Sequence, residues 1–469
     1  MRMEPPIRTG SATPIPLAFH GKPPYAKRSG HKPREGTRME EPVGHLPKPQ
    51  SLRLVLAVLL VVYVFNFLDR QIVNILAEPI RRDLGLSDTQ IGLMTGIAFA
   101  AFYTCLGIPI ARYADHPSTS RVGLIAGALV IWSGMTALCG QAQTFVQLLL
   151  ARIGVGVGEA GCSPAAHSLI ADLASPEKRA SAMAIYALGI PIGTLLGMLI
   201  GGLLADSYGW RMAFVVVGLP GILLAGAVLL LIRDPRRAKA LRAGAAAQPP
   251  RTLSNREALA EIFGSRAYVL LVAAGSAAAF LSYGKATWTT IFFQRTHGLT
   301  AGETGFWFGI WGGIAAIIGT YAGGWLADRF GQVNRRHVMT APAVGFALAV
   351  PLSIAAYFMT DWRWALALLM APTMLNSLYY GPCFSSAQGL VKPEARAMAS
   401  AVLLFSQNLI GLGLGPLFFG MLSDWIKPMA GDESVRWVLY GAALIGFVPA
   451  FFFWRTSLRL NEELDRKGG

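Results

Sequence analysis

Charge is scarce in this chain. Only 14% of its 469 residues are Asp, Glu, Lys or Arg, and 53% are hydrophobic. A soluble domain carries about a quarter charged residues, so with a mean hydropathy of +0.46 the chain reads as a membrane protein. Cysteine is scarcer still. Cys105, Cys139, Cys162 and Cys383 all lie within apolar runs without metal-ligand spacing, which excludes a disulfide scaffold and a zinc site and leaves small packing residues. No Walker lysine, paired metal-ligand histidines or Ser/His/Asp set at recognisable spacing occurs. The chain is therefore expected not to be an enzyme and to need no cofactor. The first fifty residues hold no apolar core, so no signal peptide is expected. Residues 1–50 read as a disordered basic tail, or in part as sequence ahead of a true start at Met39. Acids number 26 against 41 Lys and Arg, a net charge of +15. The bases are scattered between apolar runs rather than gathered on one face, which argues against nucleic acid.

What the chain has is apolar runs of the length that crosses a ~30 Å hydrocarbon core. Twelve fall at 52–80, 89–111, 121–140, 146–170, 180–204, 212–232, 267–292, 302–327, 338–358, 364–390, 397–423 and 435–454. The longest polar interruption, 233–266, separates six from six and has the composition of a linker or surface helix. Expected units are thus a tail (1–50), a first bundle (51–232), a linker (233–266), a second bundle (267–455) and a second tail (456–469). Both tails, the linker, Arg112–Arg121, Lys178–Arg179, Arg329–Arg336 and Lys392–Arg396 collect Lys and Arg on one side. That asymmetry places both termini in the cytoplasm, with Arg81, Arg82, Arg295 and Lys427 as exceptions near acids.

The halves repeat. Gly85-Leu86-Ser87-Asp88-Thr89-Gln90 follows run one, and Gly298-Leu299-Thr300-Ala301-Gly302-Glu303 follows run seven. In each, Ser or Thr stands three residues before Gln or Glu, the capping box of a new helix. Ser175-Pro176-Glu177-Lys178-Arg179 and Lys392-Pro393-Glu394-Ala395-Arg396 occupy matching places, each followed by a Gly-rich helix ending in an acid, Asp206 and Asp424. The expected fold is all-α: twelve transmembrane helices in two pseudo-symmetric six-helix bundles.

Run one contains Asp69 and Arg70. An ionisable group at mid-bilayer costs roughly 2.5–3.5 kcal/mol on insertion scales, so each requires a partner or a wet cavity. The two point about 100° apart on a helix and cannot neutralise one another side by side. Arg152 and Glu159 in run four, two turns apart on one face, are the expected partners: Arg152 for Asp69 and Glu159 for Arg70. Permanent packing salt bridges are the competing explanation. Gly154, Gly156 and Gly158 lie inside the same helix, where close packing rather than a dinucleotide loop accounts for them. His167 reads as a packing histidine.

Gly324-Trp325-Leu326-Ala327-Asp328-Arg329-Phe330-Gly331 closely resembles the cytoplasmic loop motif of the major facilitator superfamily. The first-half copy, Gly107-Ile108-Pro109-Ile110-Ala111-Arg112-Tyr113, has Ala111 where the motif has Asp, with Asp115 the nearest acid. Arg152 with Gly154, Gly156, Gly158 and Glu159 matches the superfamily's fourth-segment motif. Asn66-Phe67-Leu68-Asp69-Arg70, Gly158-Glu159-Ala160 and Ser175-Pro176-Glu177-Lys178-Arg179 resemble the Spinster subfamily. The resemblance implies a multi-pass bacterial inner-membrane transporter working by alternating access. Its coupling ion would be the proton and its cargo a lysophospholipid or sphingolipid-like molecule. Arg112, Asp115, Asp328 and Arg329 would form a cytoplasmic gate.

Near Arg152 and open to water Asp69 is ionised; parted from it or desolvated, Asp69 takes a proton, and Glu159 is a second candidate carrier. Lys285, with Tyr283 and Trp288, either meets an anionic headgroup or snorkels outward. Asn376, Tyr379, Tyr380, Gln407 and Asn408 form a polar lining as a set, although packing explains each singly. A small organic anion or sugar fits the same cavity, and a non-transporting receptor on the same fold is a further alternative. A monomer in contact with membrane lipid is expected.

Overall fold

The computed structural model describes residues 50–116, 119–235 and 255–468. The tail 1–49 and linker residues 236–254 lie outside the described residues. Helices account for nearly all the rest, and no strand occurs among the described residues. Nine described stretches are long and apolar enough to cross a membrane. Two of them hold two passes each. Ser181–Leu231 turns at Gly209, whose φ of 81° and ψ of 162° lie where glycine alone sits comfortably. Met398–Leu460 turns around Gly431. A further pass is broken between Trp362–Asn376 and Tyr380–Gly389, each piece too short to span alone. The described helices are thus consistent with one pass for each of the twelve apolar runs.

The first half comprises α1 (Leu52–Leu84), α2 (Asp88–Thr95), α3 (Ile97–Asp115), α4 (Arg121–Cys139), α5 (Phe145–Glu159), α6 (Cys162–Leu173), α7 (Pro176–Ala187) and α8 (Gly189–Leu231). Glycines at alternate positions of α5 let two neighbours close on it. A Cβ at Gly158 would sit 2.7 Å from Trp132 N on α4, and one at Gly156 would sit 2.7 Å from Phe99 O on α3. This packing sets Arg152 and Glu159 against α1. The N-terminal part of α8 lays Gly193 and Gly197 on Val64 and Leu68 of α1, which holds the Asp69 turn in place.

In the second half, α9 (Asn255–Gly264), α10 (Arg266–Arg295), α11 (Ala301–Gly331), α12 (His337–Phe358), α13 (Trp362–Asn376), α14 (Tyr380–Gly389) and α15 (Arg396–Ser406) lead to π-helical turns over Gln407–Leu414. There follow α16 (Gly415–Ala430), α17 (Ser434–Ile445) and α18 (Phe447–Gly468). The last helix does not end at 455. It runs to Gly468, where Glu463 caps the start of α10 by accepting from Ser265 Oγ and from Ala267 N at 2.8 Å. Of the cysteines, Cys139, Cys162 and Cys383 are buried as packing residues, whereas Cys105 is exposed.

Call the end that carries Ser51 and Ile232 the tail end, and the end that carries Gly85 and Gly298 the far end. Both capping boxes form at the far end: Ser87 with Gln90 at the start of α2, and Thr300 with Glu303 at the start of α11. Gly85 and Gly298 precede them at φ 64° and 69°, the left-handed turn that a Cβ disfavours. The repeat extends across the halves. Asp206 of α8 accepts from Gly302 N at 2.9 Å, and Asp424 of α16 accepts from Asp88 N and Thr89 N at 3.0 and 2.7 Å. Each half thus supplies an acid to a helix N-terminus of the other, where the macrodipole favours it.

Candidate functional site

Asn66, Asp69 and Arg70 lie on one stretch of α1, facing Trp132 and Thr136 of α4, Arg152 and Glu159 of α5, and Phe99 and Tyr103 of α3. Arg70 Nε donates to Glu159 Oε2 at 2.7 Å. The Arg70 guanidinium also lies over three rings, 4.4 Å from Tyr103 and 5.0 Å from both Phe67 and Phe99. The expected Arg70–Glu159 pair is therefore present.

The other expected pair is not. Asp69 is 1% exposed, yet no ion pair joins it to Arg152, and Asp69 Oδ1 and Arg152 Nε and Nη1 find no hydrogen-bond partner in the protein. Arg152 instead rests 5.4 Å from the Phe99 ring. Phe99 is thus contacted by both guanidinium groups, and Arg152 spends its planar face on the ring rather than its N–H groups on the acid. Asn66, Trp132 Nε1, Thr136 Oγ1 and Glu159 Oε1 also lack a partner at full hydrogen-bond geometry, with Trp132 and Thr136 in reach of the Asp69 carboxyl and Asn66 in reach of Glu159. Buried polar atoms are normally paired, so their concentration around one carboxylate marks a site with bonding capacity in reserve. Sequence reading missed Trp132, Thr136, Phe99 and Tyr103. Each lies on a helix whose periodicity showed only an apolar face.

The proposed cavity residues separate. Tyr283 lies within electrostatic reach of Arg70, Tyr103 and Tyr380, and Tyr380 is 39% exposed and stacked on Tyr379 at 4.4 Å. Asn376 and Asn408 are half-buried. Trp288 does not line a cavity: it is fully buried, and its Nε1 donates to Pro416 O at 2.9 Å. Lys285 turns to α12, donating to Ser353 Oγ at 3.1 Å beside Tyr357, because it lies two residues from Tyr283 and so on the other side of α10. Gln407 is buried within the second half, against Gly275. Of the expected gate, the described side chains do not meet. Arg112, Asp328 and Arg329 are exposed and make no ion pair with one another, Arg329 lying 6.0 Å over Trp325. The Asp115 side chain lies outside the described residues.

A second ionic centre joins the halves at the far end. Arg295 of α10 forks both Asp88 oxygens at 2.9 and 2.8 Å and reaches Glu78 of α1 at 2.8 Å. Glu78 also accepts from Arg81 and Arg82, and Asp88 from Ser423 Oγ at 2.6 Å. Beside it, Thr287 Oγ1 donates to Asn74 Oδ1 at 2.9 Å and Gln294 Nε2 to Ile75 O at 3.0 Å. Backbones meet there too: a Cβ at Gly305 would sit 2.2 Å from Met198 O.

The sequence model of the Major Facilitator Superfamily matches residues 59–409 and 313–468. A bacterial homologue of the human lysosomal transporter Spinster, solved in an inward-facing and unoccupied conformation, superposes with a TM-score of 0.79 at 31% identity. The match covers 88% of this chain and 98% of that one. The chain belongs to the major facilitator superfamily and is a transporter of the Spinster type. An MFS-type efflux pump of Mycolicibacterium smegmatis is 33% identical over 89% of this chain and 95% of its own. The sphingosine-1-phosphate transporter SPNS2 of Danio rerio is 23% identical over 86% and 83%. In this Spinster-type facilitator the four charges of α1 and α5 lie between the Arg295 centre at the far end and a tail end at which Arg112, Asp328 and Arg329 are solvent-exposed.

Proposed function

We propose that this facilitator is a proton-coupled secondary transporter of an amphipathic anion, a lysophospholipid or sphingolipid-like molecule, working by alternating access with both termini in the cytoplasm. The observation that carries the reading is the split state of the charge cluster, one pair closed and one apart around Phe99. Two acids and two guanidinium groups sum to zero, so the cluster is balanced as it stands. A proton on Asp69 or Glu159 leaves one guanidinium in excess, and Arg70, mostly buried among three rings, then suits an anionic headgroup. Proton and headgroup are thereby linked through one shared charge balance, and the differential binding shifts the two-state bundle. Tyr283, Tyr103 and Tyr380 flank the headgroup position, and the relative that carries a lipid phosphate supports the cargo class. A small organic anion is the second reading, favoured by the hydroxyls of those same tyrosines.

The experiment is flux in liposomes. Purified protein is given an imposed pH gradient and a labelled lysophospholipid, and wild type is compared with Asp69→Asn. Gradient-driven movement lost in the variant supports both cargo and proton site. Movement that ignores the substitution relocates coupling to Glu159. No movement above empty liposomes, with folded protein confirmed, overturns the lipid reading.

A further inference from the structure

Between the start of α1 and the first turns of α7 runs a groove of about 560 Å³, lined by Ser51, Leu52, Arg53, Leu56, Lys178, Ser181, Ala182 and Ile185. Its composition is graded along its length. Arg53 and Lys178 are exposed at its mouth with the hydroxyls of Ser51 and Ser181. The Ser51 side chain caps no backbone N–H of α1, so it is available to a ligand. Neither base has a carboxylate partner among the described residues. Below them the floor is Leu56 and Ala182, both buried, and the wall is Ile185, which is 41% exposed.

Helix α1 enters the apolar region at this level, so the two bases sit where a membrane surface meets hydrocarbon and the floor lies just beneath. We infer that the groove binds an anionic phospholipid of the surrounding leaflet, its phosphate between Arg53 and Lys178 and an acyl chain along Leu52, Leu56 and Ile185. Charge complementarity selects the occupant: two bases with no carboxylate partner among the described residues match one phosphodiester, and basic pockets between transmembrane helices are suited to such headgroups. A free phosphate leaves the apolar floor unused, and a zwitterionic lipid brings a third positive charge to a site that already has two. The site is separate from the Asp69 cluster, since sixteen residues of helix place Arg53 about 24 Å from Asp69. It stands whether or not the cargo is a lipid. Bound lipid bridges α1 to α7 at the tail end, the end at which the halves are not sealed by the Arg295 centre.

The test is native mass spectrometry of the full chain in mild detergent with phosphatidylglycerol or phosphatidylcholine of identical acyl chains. Wild type is expected to retain one phosphatidylglycerol with about thirtyfold preference, the scale of two basic residues near a lipid surface. Arg53→Gln/Lys178→Gln is expected to abolish the preference, with an unchanged melting temperature because both side chains are exposed. Ile185→Trp is expected to expel the lipid while both bases remain. An equal preference in the double variant overturns the proposal. So does displacement of the lipid by millimolar inorganic phosphate, or retention by Ile185→Trp, which would show that the headgroup binds without the groove.

Discussion

Arg295 on the second half and Glu78 on the first meet at 2.8 Å, both nearly inaccessible, with the same guanidinium forked onto Asp88. A single side chain therefore carries two of the ion pairs that close the far end. Removing it leaves the Asp88 carboxylate with Ser423 Oγ, and Glu78 with Arg81 and Arg82.

Arg295→Gln is expected to open the far end. Breaking a buried pair from one side costs about 3–5 kcal/mol, while about 5.5 kcal/mol moves a two-state balance from 1:99 to 99:1. Spin labels on the far-end loops of α1 and α10 should move from one short distance to a mixture dominated by a longer one. A distribution identical to wild type would show that the packing of glycines alone holds the closure.

Glu159→Gln is expected to strip Arg70 of its acid and to lower stability by about 3 kcal/mol, read as a lower melting temperature in detergent. Arg70→Lys is expected to lose transport despite keeping the charge, because an ammonium has no planar group that can donate to Glu159 from its edge while lying over Phe67, Phe99 and Tyr103. Full transport by Arg70→Lys would show that charge alone matters there.

Gly305→Val is expected to bar the closed far end, since even a Cβ would meet Met198 O at 2.2 Å. Thr287 is buried at that seam. A cysteine substituted at Thr287 should be protected from a membrane-impermeant maleimide in the parent and react in the Gly305→Val background. Equal protection in both would refute steric control by this contact.

His297, in the loop after α10, lies against Phe292 at 4.8 Å, and burial, with Arg436 nearby, holds its imidazole below the usual value of 6.5. The unfolded chain therefore binds the proton more readily than the folded one. Stability is fully present above about pH 6.5 and falls as the pH drops below it. The melting temperature should decline between pH 7.5 and 5.5, and His297→Gln should flatten that part of the decline.

Local features were legible in the sequence because local spacing determines them. The capping boxes at Ser87 and Thr300 need only a hydroxyl and an acid or amide three residues on. Arg152 and Glu159 show by their spacing of seven that they share a face. The partner that a face meets depends on tertiary packing, and there the reading divided. Glu159 meets Arg70, whereas Arg152 is drawn to Phe99, an apolar residue of α3 that no charge pattern marks. Tyr283 and Lys285 are two residues apart and so diverge on α10, one to the cluster and the other to Ser353. Trp288 and Gln407 look like lining residues by composition, yet helix contacts bury both. Arg295 stood out only as a base on the wrong side of a topology rule and Glu78 not at all, since more than two hundred residues separate them in the chain.

The exchange of Asp206 and Asp424 makes the two halves reciprocally keyed. Each half offers an acid that fits a helix start on the other and receives one in return. Neither half can therefore drift alone at these positions without leaving its counterpart with an unmatched carboxylate or an uncapped helix. A chimera that joins the first half of this chain to the second half of a relative is constrained by three hydrogen bonds at two contacts rather than by one seam: Asp206 with Gly302, and Asp424 with Asp88 and Thr89.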